Sequence, residues 1–305
     1  MTIRPGSQPP APPHLPEVLF ARDHTSALVA ARVRAGTWEP LVRGSYIAAG
    51  TVDGPKERAL AEIVAVHQRL RLPHWFSHES AALLWGLPLW RDATAVHLRQ
   101  ASRSAQRQAQ PVRRHISAVP DQHQAEVGGL PVTSLALTAV DCARALPPLD
   151  ALVIADAALR AGADRTQIAD LLDGLRGRNG TRTAAAVLAA ADPGAESAPE
   201  TAVRYHLLVA GLPVPQTQVE VPTWRGTYWA DLGYPQWQLL IEYDGRTKYD
   251  GDEWFREKRR QDAIMETGDQ VVRVTAEDLR SPARIVTRVR RFLPQYVPQL
   301  RPSLR

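Results

Sequence analysis

The chain has one cysteine, Cys142, and three lysines, Lys56, Lys248 and Lys258, among 305 residues. A single thiol excludes an internal disulfide and a thiolate zinc cluster, and it fits a reducing compartment. Cys142 lies in the apolar stretch Leu135 to Leu146, where a buried structural thiol is the ordinary reading. No apolar run approaches bilayer-spanning length, and the Pro-rich start lacks the basic-then-apolar order of a signal peptide. The sequence therefore reads as cytoplasmic, with no membrane partner. Neither a Walker loop nor a dinucleotide fingerprint occurs, so nucleotide-dependent chemistry has no support.

What is present is arginine, which supplies 34 of the 37 basic residues and leaves a net charge of +5. Polyanions become plausible partners. The same excess, beside so much Ala and Pro, is also what a GC-rich genome produces, so net charge alone decides nothing. At this length two or three compact units are the ordinary solution.

The punctuation of the chain suggests where those units lie. Residues 1–16 read as a disordered leader without a fold of their own. Residues 17–50 predict a helix opening near Thr25 or Ser26, closed by Gly36 and followed by a short strand pair, the order of a winged helix. Residues 51–192 open with a helix after Asp53 and Pro55. Ser77 is expected to cap the next, which ends at Gly86. Between Ala93 and Pro120, short strands at Val96 to Leu98 and Val112 to Ile116 carry Arg99, Arg103, Arg107, Arg113 and Arg114 near no acidic residue. That pattern predicts a basic hairpin, equally readable as a nucleic-acid contact or a solvated loop. From Thr133 to Ala191 the pattern is helical, and Asp192 to Ala198 reads as a linker. Residues 197–305 turn to mixed α/β: a helix from Ser197 to Ala210, strands near 217–221, 226–232 and 237–243, a polar helix near 253–266, and a last strand at 270–274. The class is α+β overall, with an α/β C-terminal unit.

Hydrolysis of a phosphodiester with a hard divalent cation needs two or three carboxylates converging on one spot. Asp231 ends one expected strand, and Glu242 and Asp244 stand two apart on the next, where they share a face. Leu239, Leu240 and Ile241 precede them, so the acids emerge from a strand that must be largely buried. Gly245 then lets the backbone turn beside them.

With these residues in view, the run from Ser197 to Leu293 resembles the nuclease domain of the very-short-patch-repair endonuclease superfamily, a branch of the PD-(D/E)xK fold. The matching pieces are Glu200, Gln218, Asp231, the run Ile241-Glu242-Tyr243-Asp244-Gly245, Arg259 with Asp262, and Val271 to Thr275. The resemblance implies a restriction-endonuclease-like sheet flanked by helices. It also implies Mg²⁺ or Mn²⁺ held by Asp231 with Glu242 or Asp244, and DNA as substrate. Glu200 would approach from the first helix, yet Ser197 to Glu200 also spells a capping box. Where the wider superfamily has a lysine, this chain has Asp244; Lys248 either supplies that charge from nearby or is a surface residue. Arg259 either turns toward the site or pairs within its own helix.

Residues from about Leu15 to Leu146 are similar to the winged-helix antitoxin and regulator family of type IV abortive-infection systems. Arg43-Gly44-Ser45-Tyr46, Ser77 to Ala82, and Gly129 to Ser134 carry the likeness. Arg32 and Arg34 on the first helix and Arg43 in the wing are the expected DNA contacts. His78 and Glu79 read as a helix N-terminus, with no second histidine at metal-ligand spacing. Two functions compete: a metal-dependent DNA endonuclease, and a non-catalytic antitoxin-like DNA-binding regulator with a degenerate nuclease fold. The latter's partner would be a cognate toxin or defence-system protein.

Overall fold

The computed structural model describes residues 7–102, 112–245, 259, 262–264, 266–294 and 304, arranged as a mixed α+β fold. Three sheets organise it, with strand orders β1-β3-β2, β6-β5-β4-β8-β7 and β12-β11-β10-β9.

The first sheet joins β1 (Leu19–Phe20), β2 (Trp38–Pro40) and β3 (Ser45–Ala48). The helix α1 (Ser26–Arg34) is capped as its sequence predicts, the Thr25 hydroxyl accepting from the Leu28 N–H at 3.3 Å. Only Val29 of α1 is buried, so the helix lies on the head rather than in a core. Among the described residues a strand and a single 3-10 turn precede it, not two further helices. The expected boundary at residue 50 does not close a core. The cluster of Leu41, Val42 and Ile47 is completed by Ala61 and Ala65 of the following helix, α2 (Gly54–His67).

Another face of α2 serves the second sheet. Leu60, Ile63 and Val66 pack with α3 (His78–Leu84) against β4 (Trp75–Phe76), β5 (Val96–Gln100) and β8 (Leu130–Thr133). The second sheet is completed by β6 (Val112–Ile116) and β7 (Gln124–Val127). The basic hairpin is corrected here: β5 and β6 pair in parallel, Val96 with Val112 through Gln100 with Ile116, and parallel neighbours cannot be joined by a tight turn. Arg99 binds Asp141 through two of its nitrogens and Ser117 through the third, which leaves it no role as a solvated DNA contact. Arg103 and Arg107 lie outside the described residues.

Four helices follow, within the stretch expected to be helical: α4 (Leu135–Ala145), α5 (Pro148–Arg160), α6 (Arg165–Asp173) and α7 (Thr181–Ala190). Small buried residues such as Ala139, Ala143, Ala151 and Ala155 let α4 and α5 pack closely. Cys142 is fully buried among them, and burial pushes its thiol far above the ordinary range, the opposite of what a nucleophile needs.

The leader is not free in its described part. Arg160 donates to the Gln8 carbonyl, Leu15 packs into the second sheet's core, and the Ala11 carbonyl lies over Gly86. A Cβ on Gly86 would stand 1.9 Å from that oxygen, and its φ of +76° also favours glycine. Residues 192–198 likewise are a tied joint rather than a linker. The Asp192 N–H donates to Asp156 at 2.8 Å, and Thr217 donates to Asp192 at 3.1 Å. Ala195 is buried.

The C-terminal unit starts with α8 (Ala198–Val209), whose Ser197 cap and terminal Gly211 match the expectation. β9 (Gln216–Thr223), β10 (Gly226–Tyr234) and β11 (Leu239–Asp244) form an antiparallel meander. β12 (Gln270–Thr275) joins β11 in parallel. The capping box of Thr275 and Asp278 then starts α9 (Ala276–Leu279), and Ser281 and Pro282 start α10 (Pro282–Arg290). Leu239 and Ile241 face α8 and α10 in one core, whereas Leu240 joins Val219, Val221 and Ile264 in another. The polar helix is described only at Arg259 and residues 262–264.

Candidate functional site

Glu200 lies on α8, Asp231 on β10, and Glu242 and Asp244 on the neighbouring strand β11. Leu232 of β10 pairs with Ile241 of β11, so the next position on each strand is Asp231 on one and Glu242 on the other. Strand alternation puts Glu242 and Asp244 on the Leu240 side of β11. Glu242 is buried at 7% exposure, and Asp244 is half-buried at the strand end, beside Thr275. The Tyr243 N–H donates to Asp231 Oδ2 at 2.7 Å, which fixes that carboxylate against the neighbouring strand. Gln218 on β9, buried, holds a positive φ of +48°, a conformation rare for a residue with a side chain.

Glu200 makes the capping contacts that its sequence spells. Ser197 Oγ donates to Glu200 Oε1 at 2.7 Å, the Glu196 N–H donates to Oε2 at 2.8 Å, and the Glu200 N–H donates to Ser197 Oγ. That is a capping arrangement. Yet the side chain is buried, and its carboxyl is pushed up to about 7, first by burial and next by the negative charge of Asp231. A purely local cap would not feel Asp231. Two elements thus bring Glu200 and Asp231 within each other's influence, with Glu242 on the strand that neighbours Asp231.

The raised carboxyl has a sign that can be tested. Its protonation is easier in the folded state, so the stability it contributes is complete below about 4.5 and is lost as pH rises through about 7. At about 1.4 kcal/mol per pKa unit the effect amounts to a few kcal/mol. The unfolding free energy of wild type minus that of Glu200→Gln is expected to fall between pH 5 and pH 8. Denaturant titrations across that range measure it, and a constant difference would show that the Glu200 carboxyl is not raised in the folded protein.

Of the other expected site residues, Lys248 lies outside the described residues, and Arg259 is exposed on its helical segment. Arg32, Arg34 and Arg43 are all exposed on the N-terminal head. The tightest gathering of ligand-type side chains among the described residues is one that sequence reasoning missed. His78, His97 and His115 bring ligand atoms within 4.8 Å of one another. They come from α3, β5 and β6, and no short spacing announces them. Ser77 does not cap α3 through its hydroxyl as expected; that hydroxyl pairs with His78 Nδ1 at 3.0 Å.

Comparison with known proteins finds two relatives, both from Mycobacterium tuberculosis. They are the uncharacterized protein Rv2248 of strain H37Rv and the uncharacterized protein MT2308 of strain CDC 1551, each 35% identical over 171 residues. The aligned part covers 55% of this chain and 63% of each relative, so the chain spans less than two thirds of their length. No family model matches the chain, and no solved structure matches it.

Proposed function

We propose that the chain is a divalent-cation-dependent DNA endonuclease acting in the cytoplasm, with its acidic site on the third sheet and a DNA-binding head at its N-terminus. The observation that carries this reading is the approach of Glu200 on α8 to Asp231 on β10, close enough for Asp231 to add to burial in raising the Glu200 carboxyl, with Glu242 on the strand next to Asp231. Stability alone gives no reason to crowd like charges at a sheet end. Hard carboxylate oxygens suit Mg²⁺ or Mn²⁺, and a cation would offset the part of the Glu200 shift that comes, after burial, from the Asp231 charge. Asp231 with Glu242 and Asp244 would hold it. Bound there, it would supply charge to a phosphoryl oxygen and a more acidic water. Glu200 titrates near neutrality, which suits a group that holds or releases a proton beside the cluster. Incubating the protein with plasmid and single-stranded DNA, with Mn²⁺, Mg²⁺ or chelator, tests the reading: cation-dependent cleavage is expected, and metal binding without cleavage would overturn it.

The head supplies the grip. Exposed Arg32 and Arg34 on α1 and Arg43 before β3 suit phosphate contacts, each releasing condensed counterions. Arg32→Ala combined with Arg43→Ala is expected to weaken duplex binding and to reduce the log-log salt slope by roughly one per lost contact. Anisotropy titrations at several salt concentrations measure both, and an unchanged slope would move the DNA surface elsewhere.

One observation favours a second reading. Asp244, not a lysine, stands two residues after Glu242, so the cation that would activate water is missing from that position. The chain would then be an antitoxin-like regulator that binds DNA, and a cognate toxin or defence-system protein, without cutting. Among the described residues no helix is long and apolar enough to cross a membrane.

A further inference from the structure

We propose that His78, His97 and His115 form a binding site for one divalent transition-metal ion of the zinc type, separate from the carboxylate cluster and built into the second sheet. The pairing of β5 with β6 explains how two of the ligands meet. His97 pairs with Arg113 and Arg99 with His115, so the two histidines sit one step apart diagonally on the same face. His97 Nδ1 and His115 Nε2 lie 3.1 Å apart. Two nitrogens at roughly 2.0–2.1 Å from a tetrahedral ion would be about 3.3 Å apart, so this spacing already approximates one edge of the coordination sphere. His78 completes the set from the first position of α3, its ring centroid 3.9 Å from that of His115.

The surroundings have the features that ligand histidines need beyond the metal itself. Ser77 engages His78 Nδ1, and Asp141 Oδ2 stands 3.9 Å from the same nitrogen, which leaves Nε2 for a metal. Asp141 is itself held by the two-nitrogen grip of Arg99. On the other side, His97 Nε2 lies 3.8 Å from Glu79 Oε2, a buried oxygen with no hydrogen-bond partner. When His97 gives up its Nδ1 lone pair to a metal, its proton belongs on Nε2, facing that oxygen. The unpaired acceptor and the metal-ligating tautomer therefore answer each other, and binding requires no net proton loss.

Two further observations agree. Burial holds His97 and His115 at about 4 and His78 well below the ordinary histidine range, so all three are neutral near pH 7, the form that ligates. His78 also holds a φ of +53°, a strained conformation for a residue with a side chain that tends to occur where function requires it. Three nitrogen ligands leave a fourth position for water, and imidazole sets favour zinc, nickel or copper over the hard ions that suit Asp231 and Glu242.

The test uses the full chain stripped with chelator and then titrated with Zn²⁺, and separately with Co²⁺ followed by visible absorption. With Mg²⁺ present in large excess throughout to occupy the carboxylate cluster, one Zn²⁺ per chain is expected, with tetrahedral Co²⁺ bands that Zn²⁺ displaces and the Mg²⁺ does not. His115→Gln should abolish the bands, and Glu79→Gln should weaken Zn²⁺ binding about 10- to 100-fold. Asp231→Asn should leave both unchanged, which separates this site from the carboxylate cluster. Circular dichroism of each variant establishes that it is folded. Absence of stoichiometric Zn²⁺ binding by the wild type would overturn the proposal. So would Zn²⁺ binding that folded His115→Gln retains or that Asp231→Asn removes.

Discussion

Asp231→Asn is expected to leave the protein folded while reducing cation-dependent DNA cleavage by at least about a hundredfold, the scale on which a catalytic site loses its preorganised charge. The exchange keeps the size of the side chain and one oxygen for the Tyr243 N–H, so β10 and β11 should remain paired. It removes the negative charge that adds to burial in raising the Glu200 carboxyl, and thermal stability without metal should stay level or rise. Calorimetric Mn²⁺ titration beside a nuclease assay checks both halves. Equal Mn²⁺ affinity in wild type and variant would remove Asp231 from the site, and a large loss of stability would make its role structural.

The second large effect lies in the joint between the helical unit and α8. Asp156 on α5 and Arg204 on α8 are each about 1% exposed and form an ion pair at 2.6 Å. Thr201 and the Asp192 N–H also donate to Asp156, and Arg204 reaches the Ala190 carbonyl at 2.6 Å. Removing one partner strands a buried charge and costs about 3–5 kcal/mol, whereas a well-packed apolar pair in the same space is often near neutral. Arg204→Met and Asp156→Leu are each expected to destabilise on that scale, and the double variant to recover much of the loss. Chemical denaturation of all four proteins completes the cycle. Additive losses would mean that the two residues act independently. Because Arg204 belongs to α8, a fragment beginning near Ala195 would carry this arginine with no acid to meet it.

The C-terminal unit was legible because its boundaries are written locally. Ser197 and Gly211 bracket α8, the Thr275–Asp278 capping box starts α9, and the apolar run before Glu242 marks β11 as buried. Strand pairing runs to Leu232 and Ile241 in the meander that the strand spacing suggests, so Asp231 and Glu242 are the next residues on the two strands. What escaped was everything decided at long range. The parallel pairing of β5 and β6 depends on tertiary packing, and short strands with basic residues look alike in either direction. The Asp156–Arg204 pair spans 48 residues, and nothing in either neighbourhood signals that these charges are buried. His97 and His115 stand 18 residues apart on separate strands, with no motif connecting them to His78. The leader's prolines suggested disorder, yet proline also suits an extended segment lying against a surface, as residues 7–16 do.

The helix α2 puts Ala61 and Ala65 into the core of the head and Leu60 and Ile63 into that of the second sheet. One rod is therefore a party wall between two rooms. The head with its exposed arginines is a bracket bolted to the histidine-bearing sheet rather than a hook on a tether. A DNA duplex gripped there would be presented to the rest of the protein at a set attitude, and loosening either room would shake the wall of the other.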